Sequence, residues 1–123
     1  MRRDEAVELK DYLDVNLPLQ RVLVLGDWND DLDASIAKPN PSPFQGFLDD
    51  PEDYTFVTKP LTDSRQSTTV GYPDPIDHQL ASNELRADYV GGSLTVVRPS
   101  LSGYGSNTSD HYPVTSRYAL PAP

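Results

Sequence analysis

The chain has no cysteine. That excludes disulfides, thiolate metal sites and a cysteine nucleophile, and it leaves the redox compartment open. Basic residues are scarce: ten Lys and Arg stand against nineteen Asp and Glu, a formal charge of −9. This balance argues against a protein held on nucleic acid by bulk positive charge. It does not exclude an enzyme that reaches one phosphate through a divalent metal. Long apolar runs are missing too. The longest is Val22-Leu23-Val24-Leu25, so no membrane-spanning helix fits. No charged-then-apolar stretch opens the chain, so no signal peptide is expected. Neither Gly-x-Ser-x-Gly nor Gly-x-x-x-x-Gly-Lys occurs, which sets aside the serine nucleophile elbow and the Walker phosphate loop.

What remains is 123 residues, 37% hydrophobic and 24% charged. That is enough for one modest domain with a core, and too little for two. Residues 5–13 read as an amphipathic helix, with Ala6, Leu9 and Leu13 on one face. Pro18 ends that pattern. Arg21 to Leu25 reads as a central strand buried on both faces, closed by Gly26. The prolines at 39, 41 and 43 mark a loop. Residues 44–49 and 52–59 read as short helices, with Pro51 and Pro60 as start and stop. Strands are expected at 67–70, 76–80, 93–97 and 114–120, and a frayed tail at 121–123.

Three motifs carry chemistry. Gly26-Asp27-Trp28-Asn29 follows the first strand, so a carboxylate and a carboxamide project from a strand's carboxyl end, the usual ligand position in α/β sheets. Asp27 could orient water or accept its proton, and Asn29 could donate to a phosphoryl oxygen. The same residues also suit a plain turn. In Ile76-Asp77-His78, alternation puts Asp77 on the face opposite Ile76 and His78. A strand aspartate needs a partner unless it sits on an edge facing water. Ser109-Asp110-His111-Tyr112-Pro113-Val114 places an acid and an imidazole just before the last strand. Asp110 could ligate a metal through oxygen. His111 could be a protonated donor to phosphate if a carboxylate, for which Asp77 is the natural candidate, holds its other nitrogen; a surface loop is the competing reading.

The acidic loop at 27–33 invites comparison with a calcium loop. Asp27, Asn29 and Asp31 match the first three EF-hand ligand positions, but Leu32 replaces the glycine and Lys38 the final glutamate. Asp30, Asp31 and Asp33 therefore read as solvated loop charges or helix caps. Lys38, Arg65 and Arg98 are candidate phosphate contacts, and Trp28 reads as packing beside the site. The oxygen-rich donors suit Mg²⁺, Mn²⁺ or Ca²⁺ better than zinc.

Taken together, the three motifs, in this order and spacing, resemble the endonuclease/exonuclease/phosphatase superfamily, the deoxyribonuclease I-like fold. Arg21 to Leu25 and Leu80-Ala81-Ser82 add to the likeness, which spans nearly the whole chain. The resemblance implies an α+β fold, a four-layer α/β/β/α sandwich of mixed sheets with flanking helices, and metal-dependent hydrolysis of phosphodiesters or phosphomonoesters, in nucleic acid or a small phosphorylated molecule. It implies that Asp27 orients or deprotonates water, Asn29 contacts the phosphate, Asp77 fixes and charges His111, His111 stabilises phosphoryl charge, and Asp110 belongs to the metal cluster, with Mg²⁺ the first choice. The family's early Asn, metal-binding Glu and central His or Tyr have no counterpart before Arg21. Residues 1–120 are therefore expected to form the C-terminal half of such a domain, weak or inactive alone. The inner sheet face should then show as an apolar patch, or be covered by the missing N-terminal half or by a homodimer partner. A non-catalytic remnant, or an acidic calcium-binding or interaction module, is the alternative.

Overall fold

A computed structural model describes residues 1–37 and 39–123; Lys38, and with it the readings placed on that residue, lies outside them. Helix α1 spans Arg3–Asn16. Its first turn holds Asp4 and Glu5, which suits the positive end of the helix dipole, and the Glu5 carboxylate accepts the Arg2 backbone N–H at 2.7 Å. Ala6 and Leu13 are buried on its inner face. Lys10 ties its outer flank to the loop after the next helix, with Nζ 2.8 Å from both Asp14 and Asp50.

Three strands form the main sheet: β1 (Leu23–Asp27), β2 (Tyr54–Phe56) and β3 (Asp77–Ser82), in the order β1-β3-β2. Both pairings are antiparallel, as is that of β4 (Thr95–Val96) with β5 (Val114–Thr115). The mixed sheet expected above is thus replaced, among the described residues, by antiparallel ladders, because β3 lies between two strands that both run against it. Short helices α2 (Gln45–Leu48), α3 (Lys59–Asp63), α4 (Asn83–Arg86) and α5 (Tyr104–Asn107) join them. The result is a small α+β domain.

The apolar run at 22–25 is not a central strand. β1 is an edge strand, and it continues through Gly26 and Asp27. The central strand is β3, buried along most of its length. Four apolar residues in a row cannot separate these cases, since an edge strand between two packed layers shows the same pattern. Val22 and Val24 pack on the larger core, while Leu23 packs on the smaller cluster of Val57, Ala81 and Leu85 with Tyr118. Tyr118, from the chain's own C-terminal segment, packs on this face, and Leu25 is left 60% exposed.

Residues 52–59 hold β2 instead of a helix, with Tyr54 and Phe56 directed inward on alternate positions. Pro60 sits in the first turn of α3 and starts that helix rather than stopping one, as its missing N–H permits there. The segment at 67–70 contributes one bridge, Thr69 to His111, and the C-terminal segment adds another, Tyr89 to Tyr118. Residues 121–123 are exposed and outside regular structure. The larger core is aromatic. Trp28, 2% exposed, meets Phe44, Phe47 and Phe56 edge-on at centroid distances of 5.0, 6.2 and 5.2 Å. Trp28 is thus packing, as its position suggested.

Candidate active site

β1 and β3 end side by side, with Asp27 paired to Asp77 in the ladder. On β3 the alternation places Asp77, Gln79 and Ala81 on one face and His78 and Leu80 on the other. The first face meets the C-terminal segment: the Gln79 amide donates to the Val114 carbonyl at 2.9 Å, and the Ser116 hydroxyl donates to Gln79 Oε1 at 2.5 Å. These contacts bring residues 109–114 against the ends of β1 and β3.

His111 is the focus. Its Nδ1 lies 3.0 and 2.9 Å from the two oxygens of Asp77, so Nδ1–H donates to that carboxylate. Nε2 then points between Asp27 Oδ2 at 3.8 Å and Asp110 Oδ1 at 3.9 Å. Those separations are too long for hydrogen bonds, but close enough for charge to act. The bond from Asp77 raises the His111 pKa above its ordinary value; partial burial opposes the rise, and the charges of Asp77, Asp27 and Asp110 add to it. The ring is therefore biased toward the imidazolium.

The surrounding backbone holds this ring in place. The His111 N–H donates to Ser109 Oγ at 3.0 Å, and its carbonyl accepts the Tyr104 hydroxyl at 2.7 Å. Val70 N–H donates to the Asp110 carbonyl at 2.7 Å, and Tyr112 N–H to the Thr68 carbonyl at 2.8 Å. Thr68, fully buried, accepts the backbone N–H groups of Ile76 and Asp77 at 3.1 and 3.2 Å. Thr68 thus positions Asp77 through its backbone. Only the pair Thr68-Thr69, which reads simply as strand residues, marked it beforehand.

Asn29 sits at φ 56°, the left-handed region that asparagine tolerates better than most residues. Its N–H donates to Asp27 Oδ1 at 2.8 Å. This turn brings Asn29 to a groove of about 430 Å³ that it shares with Asp110 and His111. Asp27 and Asp77 border an adjoining hollow with Tyr112 and Val114. Asp27, Asp77 and Asp110 therefore gather around the His111 ring, and Asn29 shares a groove with it.

The other acidic residues of the loop have different work. Asp31 is buried rather than solvated, and accepts Thr62 Oγ1 at 2.6 Å and Leu32 N–H at 2.7 Å; burial pushes its carboxyl pKa up. Asp30 binds Ser35 Oγ at 2.8 Å and the N–H groups of Asp31 and Ile36 at 2.9 and 2.7 Å. Both carboxylates fasten the loop to itself and to α3. Asp33 is exposed. Arg98 lies over the Tyr112 ring at 4.6 Å and donates to the Ser67 carbonyl at 3.1 Å.

His78, the other histidine, belongs to the core. It is 1% exposed, between Phe44 and Phe56. Thr58 Oγ1 accepts Gln79 N–H at 3.2 Å, so its hydroxyl proton is free for His78 Nδ1 at 3.0 Å. Nε2–H then donates toward the carbonyls of Asp30 and Pro75, at 3.0 and 3.1 Å. This fixes a neutral tautomer, and burial lowers the His78 pKa to about 4.

Ligand atoms of Asp27, Asp77 and His111 all lie within 4.8 Å of one another. A cation on all three would have to break the Asp77–His111 bond. Asp110, whose Oδ1 lies 3.9 Å from His111 Nε2, stands outside that group. Among the described residues, no helix is long and apolar enough to cross a membrane. A scan against protein-family models found no match to this chain, and a search of curated proteins found none.

Proposed function

We propose that this chain carries the phosphate-facing part of a metal-dependent phosphoesterase of the endonuclease/exonuclease/phosphatase superfamily, as the C-terminal half of a deoxyribonuclease I-like sandwich. One observation supports the reading most: His111 is bonded to Asp77 at 2.9 Å through Nδ1, while Nε2 faces Asp27 and Asp110. An imidazolium oriented in this way is a preorganised donor for charge on a phosphoryl oxygen. Asp27, half exposed and bonded to the Asn29 backbone, orients or deprotonates the attacking water. Asn29 contacts the phosphate from the same groove. Asp110, largely exposed beside the ring, contributes to holding a divalent cation, with Mg²⁺ first and Mn²⁺ or Ca²⁺ as substitutes. Such an ion, when bound, neutralises phosphate charge. The grouped ligands are two aspartates and one histidine without a glutamate among the described residues, so turnover by these residues alone is weak.

Binding tests this reading without relying on turnover. In an NMR titration with MgCl₂ and dimethyl phosphate, the His111 imidazole and the Asn29 amide should shift together. The buried His78 imidazole, which does not face the groove, serves as the internal control. Asp110→Asn should weaken the Mg²⁺-dependent part of the response. No movement at His111 or Asn29, or equal movement at His78, would overturn the assignment.

A further inference from the structure

One wall of the groove beside His111 is apolar and takes no part in the chemistry just described. Ile36, Val70 and Tyr72 line the same groove as Asn29, Asp110 and His111. Val70 and Tyr72 remain 42% and 37% exposed, next to some of the most polar groups of the domain. An isolated exposed apolar residue needs no explanation. Here two of them border the same groove as the imidazole, and the loop that carries them is held to it.

That attachment is backbone to backbone. Thr69 bridges His111, and Val70 N–H donates to the Asp110 carbonyl at 2.7 Å. Ser67 Oγ donates to the carbonyls of Thr69 and Tyr72, and Thr69 Oγ1 reaches the Tyr72 carbonyl at 3.4 Å. On its far side Val70 rests on Gly105, where an added Cβ would lie 2.8 Å from Val70 Cγ1. The backbone of the loop that carries Val70 and Tyr72 is therefore fastened beside the His111 ring.

We propose that this wall receives the alcohol portion of the substrate and selects phosphate esters whose alcohol portion presents a flat aromatic ring, with Tyr72 as the stacking partner and Val70 and Ile36 flanking it. The proposal rests on the phosphoesterase reading of His111. A compact ester would leave the wall wet. A ring attached to the phosphate would cover it while its phosphate stays at His111, and aromatic pairing of this kind strengthens binding beyond the area covered.

Phenyl phosphate and methyl phosphate carry the same charged group and differ in the ring. Each is titrated into the protein with MgCl₂, following the His111 imidazole by NMR. Phenyl phosphate should bind about fivefold more tightly. Tyr72→Ala should bring the two esters level, and Tyr72→Phe should keep the difference. Equal affinities in the native protein, or a preference that persists in Tyr72→Ala, would overturn the wall while leaving the phosphate site standing. If neither ester moves His111, the wall and the phosphoesterase reading fall together.

Discussion

Replacing Asp77 by asparagine tests the pair on which the site rests. The amide oxygen still accepts Nδ1–H, so shape and hydrogen-bond count are nearly kept and only the negative charge goes. A hydrogen bond to a charged group contributes about 1.5–3 kcal/mol when well shielded. The His111 side chain is 33% exposed, so solvent screening reduces this to about 1 kcal/mol. The sign with pH follows from the raised His111 pKa. A value raised on folding adds stability that is fully present below the unfolded pKa, about 6.5, and is lost as pH rises through the folded value. Native protein should therefore exceed Asp77→Asn in stability at about pH 5.5, and the gap should close at a pH above the raised folded value of His111. Urea unfolding at the two pH values measures the gap, and NMR titration of the His111 ring should show its pKa falling in the variant. A gap of the same size at both pH values, or an unmoved His111 pKa, would refute the charge-pairing argument.

His78 should behave oppositely. Its lowered value means that the unfolded chain takes the proton first, so stability is full above 6.5 and declines as pH falls toward about 4, by roughly 3 kcal/mol; urea unfolding across that range measures the decline, and a His78 ring titrating near its ordinary value by NMR would contradict it. Thr58→Val removes the acceptor of Gln79 N–H and the donor to His78 Nδ1, both buried, and should destabilise by about 2–4 kcal/mol in chemical denaturation, with Thr58→Ser recovering most of the loss. Gly105→Ala should destabilise by about 1–3 kcal/mol and disturb the Val70 methyl resonances, because the new Cβ would lie 2.8 Å from Val70 Cγ1; an unchanged midpoint would mean that the loop yields easily.

The parts of the site legible in the sequence were those fixed by short-range rules. Period-two alternation put Asp77 opposite His78, and the structure turns one to His111 and the other to the core. The turn expected at 26–29 is displaced: Gly26 and Asp27 continue β1, and the chain bends at Asn29, which is left-handed. Helix α1 was legible from Ala6, Leu9 and Leu13. Position in the sheet was not, because it depends on partners distant in sequence: the apolar run at 22–25 fits an edge as well as a centre, and only the pairing with residues 77–81 decides. Asp31 was misread for a related reason. Nothing local shows that Thr62, thirty-one residues on, supplies the hydroxyl that lets its carboxylate be buried. Residues 54–56 failed by length, since three strand residues between turns leave too little pattern to count.

The pairing of β1 with β3 does more for the site than any single side chain. In the observed register Asp27 stands opposite Asp77 and Gly26 opposite His78. Two aspartates at the strand ends thus stand beside His111. Rotating β3 by one residue would exchange these roles, since strand side chains alternate with period two. It would drive the Asp77 carboxylate among Phe44 and Phe56 and turn His78 out toward solvent. Burying a carboxylate is far less favourable than burying a neutral, hydrogen-bonded imidazole, and the carbonyls of Asp30 and Pro75 accept the His78 Nε2–H but offer a carboxylate no donor. The core histidine thus sets the register that delivers Asp77 to His111. Disturbing His78 should loosen the Asp77–His111 bond without touching it, and the His111 pKa in Thr58→Val is the readout: it should move toward the ordinary value if register carries the coupling, and stay raised if the two histidines are independent.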